Sequence, residues 1–268
     1  MPIHCNIPTR RVTQSEFKEI DQLVMGCSYE AQNHFGRLLE EQVYENDLKK
    51  RLEAKGIQGV FTQVEVWVTH GEFKKLYRLD LVANGMVYEL KAVASLLPEH
   101  ESQALNYAAL LNLSLVKLVN FGSPQVTGKL LATPFGETNR MDVMVERSMW
   151  KALSLECQTL ADQFEEFALD VGGYLEAKLY EEALIHFSGG QEACNRRLEI
   201  QREGVILGKH TCHFHADGIA FVVTTEGNQG MFTSHRMQLE SLLHALPIWA
   251  FQWFNIHHSN ITYTTLVK

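Results

Sequence analysis

Apolar and polar positions alternate along the first half of the chain with two different periods. Phe17, Ile20, Leu23 and Val24 recur at helical spacing behind Ser15, a capping residue, with Glu16 and Lys18 in the opening turn. After Gly36 a second helical run covers residues 38–55, and Gly56 stops it. "TQVEVWVTHGEFKKLYRLDLVANGMVYELKAV" then switches to period two and breaks at His70-Gly71 and Asn84-Gly85. Asn-Gly is a strong signal for a two-residue hairpin turn, because both positions need positive φ and those residues tolerate it. Strands are therefore predicted over 76–83 and 86–93. Pro98 opens a helix to residue 112, and "LSLVKLVNFG" reads as a buried strand ending at Gly122. A helix that crosses back to a sheet predicts an α/β (α+β) fold, a mixed central sheet flanked by helices.

The hairpin carries unexpected charge. Counting back from the turn pairs Val82 with Val87, Leu81 with Tyr88 and Asp80 with Glu89. Directly opposed residues have Cβ atoms roughly 4.5–5.5 Å apart, and like charges placed there are destabilising. Something positive is expected between the two carboxylates. Alternation puts Lys91 on the face of Glu89, opposite Arg78. Two carboxylates are also what a magnesium ion uses, together with water and substrate phosphate. A plain surface ion cluster is the competing expectation.

The second half repeats the order of the first. "GRLLEEQVYENDL" from Gly36 matches "GGYLEAKLYEEAL" from Gly172, and "HESQALNYAALLNLSLVKLVNF" from His100 matches "HRMQLESLLHALPIWAFQWFNI" from His235. Asn120 and Asn255 then stand at equal distance from the two histidines. This predicts a tandem duplication, with domains 1–140 and 141–268 joined within 136–150.

Composition narrows the function. The 268 residues are 46% hydrophobic with a formal net charge of -8, which disfavours a generic polyanion-binding surface and makes any phosphate contact local. Five cysteines with no CxxC pair suit a reducing compartment. "MPIHCNIPTRR" is no secretory signal, and no apolar run approaches the roughly 18–20 residues of a membrane span. The expectation is a cytoplasmic protein without a membrane partner.

Three segments together resemble the GxxExxR family, a branch of the PD-(D/E)XK nuclease-like superfamily: "GRLLEEQVYENDLKKRLEAKGI", "YRLDLVANGMVYELKAV" and "HESQALNYAALLNLSLVKLVNFG". The resemblance covers residues 21–130. It implies a restriction-endonuclease-like fold in the first half, with Asp80 and Glu89 as metal-binding carboxylates, Lys91 as the active-site lysine, Glu41 as the helical glutamate and Gln103 as the glutamine of the following helix. It also implies Mg²⁺ or Mn²⁺ on Asp80, Glu89 and the carbonyl of Leu90, and hydrolysis of DNA in preference to RNA.

Aligning "FVVTTEG" with "MVYELKA" leaves Asp217 in place of Asp80 but sets Thr224 at Glu89, Glu226 at Lys91 and Ala177 at Glu41. One live site and one degenerate pseudo-site are expected, in a covalent imitation of a dimer that could act as a monomer. A catalytically silent nucleic-acid- or protein-binding module of a repair or defence assembly is the alternative. Two minor features remain. His213, His215 and Asp217 share a strand face and form a weak zinc candidate, and the Trp249, Phe251, Trp253, Phe254 cluster reads as core.

Overall fold

The computed structural model describes residues 2–135 and 140–268. The chain divides into two compact units, 1–138 and 139–268, and the start of the expected join, 136–139, lies outside the described residues.

The first unit runs β1 (Ile3–Cys5), α1 (Gln14–Phe35), α2 (Glu41–Ala54), β2 (Val60–His70), β3 (Phe73–Ala83), β4 (Met86–Lys91), α3 (Pro98–Leu110), β5 (Leu115–Asn120) and β6 (Thr127–Ala132). The strands lie side by side in sequence order. Only β4 and β5 are parallel, and α3 is the crossover between them. All six residues of β4 are buried, as expected of a strand flanked on both edges and covered on both faces.

Two helix starts differ from expectation. Thr13, not Ser15, caps α1: its hydroxyl accepts from the backbone N–H of Glu16, whose side chain accepts from Thr13 N–H at 2.8 Å. The second helix begins at Glu41 because residues 36–40 are held as a turn. Gly36 takes φ 75°, the Tyr44 hydroxyl donates to its carbonyl at 2.7 Å, and Leu39 N–H donates to that hydroxyl. This turn aims the first residue of α2, Glu41, at the end of β4. Beneath α1 and α2 lies a core of Leu81, Ala83, Tyr88, Leu90 and Phe121, and the Tyr44 ring stacks on Phe121 at 4.5 Å.

The second unit runs β7 (Met144–Met149), α4 (Leu155–Val171), α5 (Ala177–Phe187), α6 (Gln191–Cys194), β8 (Asn195–Arg202), β9 (Val205–Ala216), β10 (Ile219–Thr224), α7 (Gln229–Ala245), β11 (Ala250–His257) and β12 (Asn260–Val267). The order β8-β9-β10-β11-β12 matches β2 to β6, with β10 and β11 parallel around α7. The sixth strand differs: β1 adds to β2, whereas β7 adds parallel to β12. Local detail also repeats, for Gly172 takes φ 84° and the Tyr180 hydroxyl donates to its carbonyl at 2.7 Å. Each unit is thus a six-stranded mixed sheet flanked by helices, the α/β architecture expected.

These matched hairpins correct the alignment of the second half. Asp217-Gly218 forms the turn between β9 and β10, in the place of Asn84-Gly85. Asp217 is therefore not the counterpart of Asp80: a bulge at the start of the β9–β10 ladder sets His213 opposite Phe221 as Leu81 is opposite Tyr88, which leaves Cys212 at the position of Asp80. Lys91 pairs with Asn120 and Thr224 with Asn255. Asn120 makes two backbone bonds to Val93, and Asn255 makes the same two to Glu226. Thr224 accordingly stands at Lys91, Val222 at Glu89 and Glu226 two residues further on. In the aromatic cluster Phe251, Trp253 and Phe254 are core, whereas Trp249 is exposed and donates its indole N–H to the Asp217 carbonyl. Among the described residues, no helix is long and apolar enough to cross a membrane.

Candidate active site

Because Tyr88 and Leu90 face the core under α1 and α2, alternation along β4 turns Glu89 and Lys91 off that core. The Lys91 ammonium lies 2.6 Å from Glu89 Oε1 and 3.7 Å from both Asp80 Oδ2 and Glu41 Oε2, and donates to the Leu90 carbonyl at 2.8 Å. Three carboxylates and one carbonyl thus surround a single cationic nitrogen.

The ladder between β3 and β4 follows the expected register through Leu81 and Tyr88, then stops one pair short. Asp80 and Glu89 are not backbone partners. Asp80 Oδ2 instead accepts the Leu90 N–H at 2.8 Å. Arg78 does not oppose Lys91 either, because it pairs with Glu65 of β2 across 3.1 Å. Gln103 on α3 donates to the Tyr107 hydroxyl at 3.0 Å and makes no hydrogen bond to Asp80, Glu89 or Lys91.

The electrostatics follow from burial. Glu89 is fully buried, and its Oε2 has no hydrogen-bond partner. Desolvation first, and the Asp80 charge second, push its carboxyl up to about 8 against the pull of Lys91. Burial pulls the Lys91 ammonium down, but the Glu89, Asp80 and Glu41 charges outweigh it and hold the lysine above its ordinary value. Burial also raises Glu41, which Lys91 partly offsets. Tyr107 is pushed up to about 12 by burial, its Gln103 bond opposing, with the Glu89 and Asp80 charges adding to the rise.

Such a set is short of positive charge. Among the described residues, no three His, Cys, Asp or Glu side chains are arranged as ligands of one ion. The chemistry of the donors nevertheless fits a hard divalent cation: Asp80, Glu89 and the Leu90 carbonyl offer only oxygens, and one buried carboxylate oxygen is unpartnered.

Two further residues beside Asp80 went unnoticed in the sequence. Glu45, one turn beyond Glu41, is buried and accepts from Gln63 Nε2 at 2.6 Å. Its carboxyl is raised by burial, with the Gln63 bond opposing and the Asp80 charge adding. The i, i+4 spacing of Glu41 and Glu45 was a usable signal; a glutamine in a strand offered none.

In the second unit the zinc candidates do not converge. His213 contacts Asn195 Oδ1 at 2.6 Å and Glu181 at 3.4 Å, His215 contacts the Cys157 sulfur at 3.2 Å, and Asp217 occupies the turn. Burial depresses His215 to about 4, against a smaller upward pull from Gln252. Between about pH 6.5 and 4 the unfolded state therefore binds the proton and the folded state resists it, so stability falls as pH drops through that window. Urea unfolding of the full chain at pH 7 and pH 4.5 is expected to show a second-unit loss of about 2 kcal/mol assignable to this group. His215→Gln is expected to remove that part of the pH dependence.

Residues 18–130 match the family model described as the PD-(D/E)XK nuclease superfamily. No curated protein matches the chain. A solved structure titled "Crystal structure of SSO0001" shares 18% identity, with 44% of this chain and 80% of that chain covered. Its TM-score of 0.26 is too low to support any statement about fold.

Proposed function

With residues 18–130 matching the PD-(D/E)XK nuclease superfamily, we propose that the chain is a metal-dependent nuclease of the GxxExxR branch, hydrolysing phosphodiester bonds of DNA in preference to RNA at one site in domain 1–140. The observation that carries this reading is the convergence of Asp80, Glu89 and Glu41 on Lys91 beside the Leu90 carbonyl.

Asp80, Glu89 and the Leu90 carbonyl would hold the cation, Mg²⁺ or Mn²⁺. When bound, such an ion polarises a phosphodiester and lowers the pKa of an attacking water. The chain's own residues supply the remainder. Lys91 is kept charged by its three carboxylates and places that charge where negative charge develops on the phosphoryl oxygens. Glu41, at the head of α2, holds Lys91 from the side opposite β4. Leu90 N–H fixes the Asp80 carboxylate through Oδ2, and the carboxylate so held would serve as a ligand of the cation. Gln103, braced on Tyr107, would position water or substrate.

The second domain, 141–268, is read as inactive and structural or substrate-binding, since Cys212, Val222 and Thr224 stand where Asp80, Glu89 and Lys91 do. A two-domain chain of this kind acts as its own pseudo-dimer, and free cysteines are in keeping with a cytoplasmic location. Cys212→Ala and Thr224→Ala are each expected to leave kcat within about twofold of wild type, because neither side chain touches a catalytic group. A tenfold loss in either would relocate chemistry to the second unit.

Labelled single-stranded, duplex and branched DNA, with an RNA control, incubated with Mg²⁺, Mn²⁺ or chelator, tests the proposal. Metal-dependent product from at least one DNA is the expected result. Absence of product with every substrate and metal favours the alternative, a silent nucleic-acid- or protein-binding module of a repair or defence assembly, for which the net charge of -8 speaks.

A further inference from the structure

The sheet is distorted where it carries Asp80. Pairing between β2 and β3 runs through Thr62 with Leu81 and resumes at Val64 with Leu79, so Gln63 and Asp80 face each other without forming a ladder pair. Gln63 takes φ 50° in the middle of an 11-residue strand. That left-handed conformation is unfavourable for a residue with a side chain, and such departures persist only where surrounding contacts enforce them.

The enforcing contact is visible. Gln63 Nε2 donates to Glu45 Oε2 at 2.6 Å, and Glu45 is 1% exposed. An ionised carboxylate only accepts, so this bond orients the carboxamide: NH₂ lies toward Glu45 and Oε1 away from it. One N–H of that NH₂ is consumed. The other belongs to a side chain that is exposed, directly across from Asp80. The neighbouring polar groups of the site are nearly all acceptors, namely Glu41, Asp80, Glu89 and the Leu90 carbonyl. A phosphodiester is an anion, and it needs donors where it meets this surface.

Resting on the nuclease reading above, we propose that Gln63 is a substrate-contacting residue whose second N–H donates to a non-bridging phosphate oxygen, with Glu45 as the positioning residue that holds it there. The cost of the left-handed backbone is then spent on aiming one donor at the strand to be cut, as irregularities next to active sites commonly do.

Glu45→Gln separates positioning from charge, because glutamine still presents an oxygen to the Gln63 N–H while alanine does not. With whichever oligonucleotide the wild type cleaves, kcat and KM are measured, and its dissociation constant is read by fluorescence anisotropy in Ca²⁺. Gln63→Ala and Glu45→Ala are each expected to lower kcat/KM about 10- to 100-fold, the range for a hydrogen bond to a charged group, and to weaken binding in parallel. Glu45→Gln is expected to stay within about threefold of wild type on both readouts. Gln63→Asn tolerates the same backbone but is too short to reach Glu45, and it is expected to match Gln63→Ala; a melting curve for each variant checks folding. Cleavage and binding by folded Gln63→Ala or Gln63→Asn equal to wild type overturn the contact. Glu45→Gln as impaired as Glu45→Ala overturns the positioning role. A wild type that neither binds nor cleaves any oligonucleotide overturns the nuclease reading itself, and the contact with it.

Discussion

Glu89→Gln is expected to lower cleavage by about 10²- to 10³-fold while leaving the melting temperature near wild type, because the site loses an anionic ligand without gaining a buried charge. Lys91→Met should lower cleavage as far but for a different reason, and it should also destabilise. Removing the ammonium leaves the Glu89 carboxyl buried at 0% exposure with its one partnered oxygen also orphaned. Breaking a buried pair from one side costs about 3 kcal/mol, less whatever Glu89 recovers by taking up a proton. The double variant removes both charges and should regain stability without regaining activity. Urea unfolding and single-turnover cleavage of the four proteins test this as a cycle. Equal cleavage by all four would remove the assignment of the site, and additive destabilisation would remove the ion pair.

The second large effect is expected from a residue with no chemistry of its own. A Cβ on Gly122 would lie 2.5 Å from both the nitrogen and the oxygen of Val93, main-chain atoms that cannot rotate away. Val93 is held there by Asn120, whose Oδ1 accepts its N–H at 3.0 Å and whose Nδ2 donates to its carbonyl at 2.8 Å. Gly122→Ala must therefore push the strand end off Asn120 and leave that buried amide unpaired. Overpacking and a lost buried bond together predict about 3 kcal/mol of destabilisation. Lys91 is two residues from Val93, so kcat should fall as well. Unfolding curves that superpose on wild type would show that the two segments separate freely.

The contrast between these residues shows where sequence reasoning reached and where it stopped. The Asn84-Gly85 turn was legible because its φ requirement is local, and it carried the register as far as Leu81 and Tyr88. The nearness of Asp80, Glu89 and Lys91 was legible for the same reason, and Glu41 only through the resemblance of its segment to the GxxExxR family. Alignment of the second half slipped because polar landmarks were matched in place of turns. Asp217-Gly218 is itself a turn dipeptide, and reading it as one takes Asp217 out of the position of Asp80; the bulge that sets Cys212 there shows only in the strand pairing.

By itself, then, the amino-acid order determined the succession of elements, the hairpin that presents two carboxylates and a lysine, and the likeness of the two halves. These depend on periodicity and on backbone preferences that act within a few residues. Only the tertiary structure decided that Asp80 takes a backbone N–H in place of a facing strand partner, that Gly122 presses on Val93, and that Gln63 adopts a left-handed conformation against Glu45. Each of those joins segments distant in sequence. Their geometry is set by how helices and strands pack around a buried charge, and a side chain's own preference carries no record of it.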